Sequence, residues 1–383
     1  MALTSIGPTT LNIVVPALPN LANRMASDVG TIQLIVSVYL LALAAGQLLM
    51  GPLSDRFGRR PVLIGALSVT AGASIAAVLI STVESLIVAR VLQAIGASAG
   101  VVVSRAIIRD LFDRNRAAAM LGLVATVMVV VPTLAPLTGG LLETGFGWEA
   151  IFVFTAVTSA LVVIWAVVTL PETRGMNAPP GGQEGFLRDL VRLARSGRFA
   201  GYVCAGAFGS ATFFAFLGGG AHVVITLMER SPTEYGIWWA ISSIGYMSGN
   251  FLSSRLSMRY GIDRLVWAGI VIEIIGVVLS TVLAAFAMHW GPGIVFLPQL
   301  IVNVGNGLLL PGAISGAVSV RPQAAGTAAG IMGFTQMALG AAITQYAGAL
   351  MADSASAVPM ALLMDALAAA LGLSFALLVR RSR

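Results

Sequence analysis

Long apolar stretches dominate this chain, and short polar segments separate them. A helix needs about 20 apolar residues to cross the roughly 30 Å hydrocarbon core of a bilayer. A lone strand in lipid would leave its backbone groups without hydrogen-bond partners, and the alternation typical of outer-membrane barrel strands is missing, so we predict helices. The first stretch has no basic residues before its apolar run, so it is predicted to span rather than to be a signal peptide. Twelve stretches are long enough, near residues 2–23, 30–53, 61–82, 85–105, 117–141, 149–170, 199–226, 234–255, 265–287, 292–318, 323–350 and 355–379.

Composition supports a membrane location and argues against most enzyme classes. Of the 383 residues, 57% are hydrophobic and 10% are charged, which is too few charges to cover one globular core, so the lipid bilayer must be a partner. A chain without lysine has no Walker-type phosphate loop and no Schiff-base lysine. Cys204, His222 and His289 are too few for a conventional metal or haem site. We therefore predict a protein that is not an enzyme and needs no cofactor or metal.

The arginines predict the orientation of the chain. All 22 basic residues are arginines, and they occur in short bursts between the apolar stretches, which is unlike a nucleic-acid-binding face. If both termini are cytoplasmic, 19 of the 22 lie on the cytoplasmic side. Only Arg24 and Arg230 then lie outside, and Arg90 lies within the bilayer. The positive-inside rule therefore favours cytoplasmic termini, and no nucleic-acid partner is expected.

The spacing of the stretches and a weak repeat predict two halves. The longest polar connection runs from about Pro171 to Arg198 and separates six stretches from six. Gly46 and the Arg-Phe-Gly at 56–58 recur as Gly249 and the Arg-Tyr-Gly at 259–261, at a constant offset of 203 residues. We predict an all-α integral membrane fold of twelve transmembrane helices in two six-helix pseudo-repeats. The predicted boundaries are 1–171, a cytoplasmic linker over 172–198 with an amphipathic helix at 186–198, and 199–383.

The segment between the second and third stretches carries the most specific motif. It reads Gly-Pro-Leu-Ser-Asp-Arg-Phe-Gly-Arg-Arg-Pro over residues 51–61 and is named the gate loop below. A positive-inside anchor with a tight turn would account for its arginines, but not for its Gly, Asp and Gly spacing. Gly51 is interpreted as a site where two helices approach closely. The gate loop resembles the signature loop of the major facilitator superfamily, which implies a cytoplasmic gate latch formed by Gly51, Asp55, Arg56, Gly58, Arg59 and Arg60.

The fourth stretch contains an arginine inside the membrane. Arg90 and Gln93 are three residues apart and share a helical face. The segment resembles the R-x-x-Q-G-x-G motif of the superfamily's antiporters, with Ala94 in place of the first glycine. The Arg-Ala-x-x-Arg-Asp sequence at 105–110 is similar to the bicyclomycin- and chloramphenicol-resistance subfamily. An intramembrane arginine suggests a functional site, whereas the alternative is that Arg90 snorkels to the outer interface or pairs with Glu84.

The fifth stretch contains a pattern of proline and glycine. Pro132, Pro136 and Gly140 recur every four residues, and Gly139 precedes the last of them. The pattern resembles the antiporter motif that the subfamily writes A-P-x-x-G-G. An ordinary proline-kinked packing helix is the alternative, since both residue types are common in membrane helices.

Further similarity extends over the whole chain, with one departure. The Pro-Ala-Leu-Pro at 16–19, Gly307–Pro311 and the glycines near Gly326 and Gly330 match the subfamily, and the last two also form a predicted GxxxG packing pair. Where the subfamily usually carries an aspartate before the Pro-Ala-Leu-Pro sequence, this chain has Asn12.

The remaining polar residues inside the stretches define candidate cavity and proton-binding groups. Because stretches 1, 4, 7 and 10 surround the central cavity in the resembled fold, one polar face of the tenth is a candidate substrate contact; interhelical amide hydrogen bonds are the alternative. Carboxyl groups inside the stretches are candidates for carrying protons, and the alternative is that they only pack as neutral or hydrogen-bonded groups. The cavity candidates are Gln299, Asn303 and Asn306, and the carboxyl candidates are Glu273, Asp365 and Glu84.

The resemblance implies a secondary active transporter. We expect a monomer in the inner membrane of a bacterium that exports small amphipathic or drug-like molecules by alternating access, coupled to proton influx. A uniporter or solute importer of the same fold without proton coupling is the alternative, and a non-transporting receptor is a third class. A membrane-embedded enzyme would need a catalytic constellation, and the sequence offers no such set.

Overall fold

The computed structural model describes residues 1–80, 82–173, 192–193, 195–286, 288–321 and 324–379. The regular elements of these ranges are helical, with short 3₁₀ segments at Val15–Ala17 and Met288–Trp290 and a π-helical segment at His222–Leu227. The α-helices are α1 (Ala2–Asn12), α2 (Leu18–Arg24), α3 (Val29–Phe57), α4 (Arg59–Leu79), α5 (Val83–Leu111), α6 (Arg114–Phe146), α7 (Glu149–Thr169), α8 (Gly197–Ala221), α9 (Pro232–Tyr260), α10 (Ile262–Phe286), α11 (Gly293–Val320), α12 (Ala325–Met351) and α13 (Val358–Leu378).

The helical prediction is confirmed, and each of the twelve predicted stretches coincides with helix. Ten helical segments in the described part of the chain are long and apolar enough to cross a membrane. Large apolar side chains are exposed along them; Leu79 is 80% exposed and Phe286 is 81% exposed. Lipid contact accounts for this exposure. The α9 helix is long enough to span but is not among the ten, because its tryptophans, serines and tyrosines lower its mean hydropathy.

The first predicted span is broken rather than continuous. α1 ends at Asn12, a 3₁₀ turn covers Val15–Ala17, and α2 begins at Leu18. Pro16 and Pro19 have no backbone N–H and cannot donate the hydrogen bonds that would continue an α-helix. The break lies inside the apolar stretch, so it leaves backbone carbonyl groups of α1 for side chains to bind.

The chain forms two compact units. The first contains Met1–Gly181 and Ser231–Gly236, and the second contains Gly182–Arg230 and Ile237–Arg383. The linker predicted over 172–198 lies largely outside the described residues, as does most of the amphipathic helix predicted at 186–198.

Glycines set the closest helix crossings in each unit. In the first unit, a Cβ on Gly46 of α3 would lie 3.3 Å from the Cα of Ile95 of α5, so these two helices touch through backbone. A Cβ on Gly51 would have only an ordinary contact, at 3.9 Å from Val102, so the close approach predicted at Gly51 occurs at Gly46 instead.

The glycine packing pair predicted in α12 is not formed. A Cβ added to Gly326 or Gly330 would have no heavy atom of the described residues within 4 Å. Within the described part of the second unit the predicted pair therefore has no partner helix, and a GxxxG spacing brings helices together only where a partner helix lies against it.

Candidate functional site

Arg90 lies at the centre of a polar cluster inside the first unit. It belongs to α5, and only 1% of its surface is exposed. Its Nε donates a hydrogen bond to the carbonyl oxygen of Ile35 at 3.0 Å. Its Nη1 donates to the carbonyl oxygen of Thr10 at 2.9 Å and to Oε1 of Gln93 at 3.0 Å. Thr10 lies in the last turn of α1, where carbonyl groups lack intrahelical donors, so Arg90 caps the broken helix.

Tyr39 stacks against the same guanidinium. The Cζ atom of Arg90 lies 4.2 Å from the centroid of the Tyr39 ring, and Tyr39 is fully buried. The Tyr39 hydroxyl donates to the carbonyl oxygen of Gly7 at 3.0 Å. An aromatic face stabilises a cation more strongly where water is excluded, so Tyr39 offsets part of the cost of burying the charge.

Gln93 is held in one orientation by the neighbouring helix. Its Nε2 donates to Oγ of Ser74 on α4 at 2.8 Å, and Ser74 donates in turn to the carbonyl oxygen of Thr70 at 2.7 Å. The Gln93 amide oxygen is thereby directed at Arg90. Arg90 and Gln93, which were predicted to share a helical face, thus form a direct hydrogen bond inside the bundle.

The geometry does not support a snorkelling or ion-paired Arg90. The residue is buried within the unit, and the carboxylates of the described residues form no ion pair with it. Glu84 is exposed in the first turn of α5, a helix capped by the side chain of Thr82. The second terminal nitrogen of Arg90, Nη2, is buried and has no hydrogen-bond partner among the described residues. Arg90 is therefore a buried cation with an available donor.

Asn12 and Gln33 add further buried polar atoms to this unit. Asn12 closes α1 and donates from Nδ2 to the carbonyl oxygen of Pro8 at 2.9 Å, while its Oδ1 is buried without a described partner. Nε2 of Gln33 on α3 is also buried and has no described hydrogen-bond partner. Unpaired amide groups in an apolar interior are costly, and binding sites are one place where they are retained.

The gate loop is a sharp junction between α3 and α4. Gly58 connects the two helices with a φ of +104°, which a residue with a side chain rarely adopts. Arg59 forms an ion pair with Asp55, four residues earlier, and donates from Nε to Oδ2 of Asp110 on α5 at 3.2 Å. The Asp55 side chain is 63% exposed, whereas those of Arg59 and Asp110 are 13% and 11% exposed. Arg59 is therefore the residue that joins the gate loop to α5.

The other two arginines of the gate loop behave differently from Arg59. Arg60 donates from Nη2 to the carbonyl oxygen of Val167 on α7 at 2.6 Å. Arg56 is exposed, with its guanidinium 5.3 Å from the ring centroid of Phe57.

Glu172 completes the gate loop, although the sequence analysis did not identify it. Its carboxylate accepts the backbone N–H of Arg59 at 2.9 Å and that of Arg60 at 3.1 Å. These are the first residues of α4, so a negative charge caps the positive end of the helix. The only sequence signal was a single carboxylate after the sixth apolar stretch.

The proline and glycine motif of α6 lies against the break in the first span. α6 continues through Pro132 and Pro136, and a Cβ on Gly139 would lie 2.9 Å from the carbonyl carbon of Ile13. A Cβ on Gly140 would lie 2.7 Å from the carbonyl carbon of Pro232, in the first turn of α9. A side chain at either glycine would therefore collide with neighbouring backbone. The motif serves close backbone packing and not only a kink in the helix.

In the second unit, the three amides predicted on one face are all buried. Gln299 donates from Nε2 to Oδ1 of Asn303 at 3.3 Å, and Asn303 donates from Nδ2 to the carbonyl oxygen of Ser242 on α9 at 3.0 Å. Asn306 donates from Nδ2 to Oγ1 of Thr212 on α8 at 3.4 Å. Asn303 and Asn306 thus form interhelical hydrogen bonds, the alternative weighed for these amides, whereas Gln299 bonds within α11. Oδ1 of Asn306 is nevertheless buried and without a described partner.

Aromatic rings pack beside this amide face. The Phe216 ring stacks on Trp239 with centroids 5.9 Å apart and meets Phe296 edge-on at 5.4 Å. Phe213 meets Trp239 at 5.6 Å. These rings join α8, α9 and α11, so most of their surface serves packing.

The two intramembrane carboxyl groups of the second unit each accept a threonine hydroxyl. Glu273 on α10 is fully buried and accepts from Thr212 at 2.8 Å. Asp365 on α13 is partly buried and accepts from Thr281 at 2.6 Å. Thr212, Thr281 and Tyr39 were not predicted from the sequence, where the polar candidates inside apolar stretches were charged residues and amides.

Comparison with known proteins agrees with this architecture. The family profile of the Major Facilitator Superfamily matches residues 1–345. Multidrug resistance protein D of Escherichia coli (strain K12) is 29% identical over 336 residues, which are 87% of this chain and 83% of that protein. The chloramphenicol resistance protein of Pseudomonas aeruginosa is 31% identical over 324 residues, 84% of this chain and 74% of that protein.

Among solved structures, the fold is shared with a bacterial homologue of the human lysosomal transporter Spinster, in its inward-facing, occupied conformation. The TM-score is 0.80 at 16% sequence identity, and the match covers 100% of this chain and 96% of that chain. At this identity the likeness establishes the fold alone.

Proposed function

Because the chain belongs to the major facilitator superfamily and is a multi-pass membrane transporter rather than an enzyme, we propose that it exports small amphipathic, drug-like molecules in exchange for protons. We place it in the inner membrane of a bacterium as a monomer with both termini in the cytoplasm. Support for drug export comes from the multidrug and chloramphenicol resistance proteins that align with most of the chain.

The observation that carries the proposal is the state of Arg90. A guanidinium held by uncharged acceptors, with one buried nitrogen left over, can donate to a carbonyl, hydroxyl or nitro group of a solute. It also carries a positive charge with no described counter-ion, so it can respond to a change of charge nearby. An ionisable residue inside a membrane protein is by default a candidate for the transport pathway.

The gate loop supplies a latch for alternating access. Asp55 and Asp110 hold Arg59 between α3 and α5, and Glu172 fixes the start of α4. We propose that this cluster keeps the first unit rigid at its cytoplasmic end and that it rearranges when the transporter changes state. No covalent chemistry is involved.

A drug-susceptibility experiment tests the proposed function. A bacterial strain lacking its own drug exporters would produce either the wild-type chain or the Arg90→Ala variant and be challenged with chloramphenicol. We expect the wild type alone to raise the inhibitory concentration, and an uncoupler to abolish its energised export. Chloramphenicol flux that is insensitive to the uncoupler and to ΔpH would instead indicate a uniporter. Specific chloramphenicol binding without flux, at normal expression, would favour a receptor.

A further inference from the structure

In the second unit, a carboxyl group is enclosed with no cation beside it among the described residues. Glu273 lies in the middle of α10 and has no exposed surface. Its Oε1 accepts the hydroxyl proton of Thr212 at 2.8 Å, and its Oε2 is buried with no hydrogen-bond partner among the described residues. A buried carboxylate needs several donors or an opposite charge, and a single neutral donor supplies neither. The neutral acid is therefore the form that this enclosure accommodates.

Glycines on both sides bring the backbone of α11 against Glu273. A Cβ on Gly305 would lie 2.8 Å from the backbone nitrogen of Glu273 and 2.9 Å from its Cβ. A Cβ on Gly269, one turn earlier on α10, would lie 2.7 Å from the carbonyl oxygen of Gly305. This close crossing excludes lipid from the carboxyl group and places it next to the polar face of α11.

Among the described residues of the elements that contact α10, other ionisable side chains are remote from Glu273. Elements in contact with α10 include α8, α11, α13 and the 3₁₀ turn that follows α10, and α11 has no ionisable residue within Gly293–Val320. The ionisable residues of these elements are Arg198, Tyr202 and Cys204 on α8, Asp263 and Arg264 on α10, His289 in the turn, and Asp365 on α13.

The ionisable residues of α8 and α10 lie eight or more positions along the helix from Thr212 or Glu273, and His289 lies beyond the end of α10. Asp365 contacts α10 eight positions from Glu273. Eight residues of α-helix are about 12 Å long. Asp365, for example, binds Thr281, eight positions beyond Glu273. The carboxyl group therefore gains or loses its charge without compensation from a neighbouring side chain.

Thr212 and Asn306 connect this carboxyl group to the amide face of α11. Thr212 donates to Glu273 and accepts from Nδ2 of Asn306 at 3.4 Å. Oδ1 of Asn306, like Oε2 of Glu273, is buried without a described partner. An acid O–H and an amide oxygen are complementary, and a carboxylate is complementary to the amide N–H. A change of protonation at Glu273 would therefore reorganise the hydrogen bonds of the amide face.

We propose that Glu273 is the proton-carrying group of this transporter and that Thr212 and Asn306 are positioning residues that transmit its protonation state to the amide face of α11. This assignment rests on the proposed function. The O–H bond of the acid breaks and its proton passes to water admitted in one state of the transport cycle; the carboxylate regains a proton from water in the other state. Thr212 keeps its own proton throughout and donates it to Oε1.

The substitution Glu273→Gln tests this assignment, because the amide imitates the neutral acid and cannot release a proton. The assay measures radiolabelled chloramphenicol uptake into everted vesicles with and without an imposed ΔpH. A gradient of about one pH unit supports up to about tenfold accumulation when one proton is exchanged for each solute molecule. We expect wild-type accumulation to approach that factor, and Glu273→Gln to retain downhill flux while its ΔpH-driven accumulation falls to about onefold.

Matched variants separate coupling from folding. Asp365→Asn changes the other intramembrane carboxyl group described in the same unit and is expected to keep ΔpH-driven accumulation. Thr212→Val removes the donor to Glu273 and is expected to shift the pH profile of transport, whereas Thr212→Ser keeps the hydroxyl and the wild-type profile. ΔpH-driven accumulation that persists in Glu273→Gln, or loss of coupling in Asp365→Asn alone, would overturn the assignment.

A second readout does not depend on any drug. Infrared difference spectra of purified protein, titrated from about pH 5.5 to about pH 8.5, report the carbonyl stretch of a protonated carboxylic acid. We expect a titrating acid band in the wild type that disappears in Glu273→Gln and persists in Asp365→Asn. A band unchanged by Glu273→Gln would refute the assignment even if the protein does not transport chloramphenicol. If the glutamine variant does not fold, Thr212→Val must perturb the same band, and an unperturbed band in that variant is likewise a refutation.

Discussion

Replacing Arg90 with methionine should abolish transport while the protein still folds. Methionine keeps much of the apolar stem and removes the charge. The wild-type guanidinium forms three hydrogen bonds to uncharged acceptors and stacks on Tyr39. At about 1.5–3 kcal/mol for each bond of a charged donor and about 2 kcal/mol for the desolvated ring contact, the gross stabilisation is about 6–11 kcal/mol.

Opposing this gain is the cost of taking the guanidinium out of water, which is still several kcal/mol after relaxation. Methionine removes this gain and this cost but leaves the acceptor oxygens of Ile35, Thr10 and Gln93 unpaired, so the net loss of folding free energy should be roughly 2–5 kcal/mol. Loss of the only charged donor at the site should lower transport efficiency at least about 100-fold, equivalent to about 2.7 kcal/mol. Arg90→Lys keeps the charge but loses the planar donor fork, so we expect partial recovery.

The assay compares chloramphenicol flux in everted vesicles with thermal stability in detergent. Arg264→Gln, an exposed arginine at the start of α10, serves as the control that should change neither quantity. Wild-type flux in Arg90→Met would show that the arginine serves only to cap α1. A collapse of thermal stability together with the loss of flux would mean that the structural contribution had been underestimated and that the free-energy argument is wrong.

Four other predictions concern separate parts of the chain. Asp55→Asn removes an exposed partner of Arg59, so folding should be unchanged while transport slows; equal flux at equal expression would remove the latch assignment. Asn12→Asp adds a carboxylate near the break of the first span, and vesicle transport from about pH 5.5 to about pH 8.5 should show a changed pH profile or a preference for cationic solutes; identical profiles would place Asn12 off the pathway. Gly139→Ala would force a Cβ against the backbone of Ile13 and should lower stability by about 1–3 kcal/mol, read from thermal melting. Asp28 caps α3, and the Thr31 hydroxyl and backbone N–H lower the pKa of Asp28. The charge-dependent part of its stabilisation should be present above the ordinary aspartate pKa and be lost as the pH falls through the lowered value, so Asp28→Ala should cost about 1 kcal/mol near neutral pH and less in strong acid, as thermal melting would show.

The hydrophobic pattern by itself determined the helices of this protein. An apolar stretch of about 20 residues in lipid has to satisfy its backbone hydrogen bonds internally, so its sequence is enough to predict a helix. The gate loop could also be predicted from the sequence, because the turn at Gly58 and the pairing of Asp55 with Arg59 depend on residues within four positions of each other. The break after Asn12 was missed, although Pro16 marks it, because hydropathy does not register the loss of a backbone donor.

The tertiary structure alone decided which polar groups meet. In a water-soluble helix, the polar face shows which side is buried, but a membrane helix is apolar on the faces toward lipid and toward protein alike. Nothing in the sequence therefore directs Arg90 to the carbonyl of Thr10, which lies 80 residues away, or Glu273 to Thr212, which lies 61 residues away. These contacts follow from backbone approaches such as Gly305 against Glu273, where a missing side chain brings two helices together.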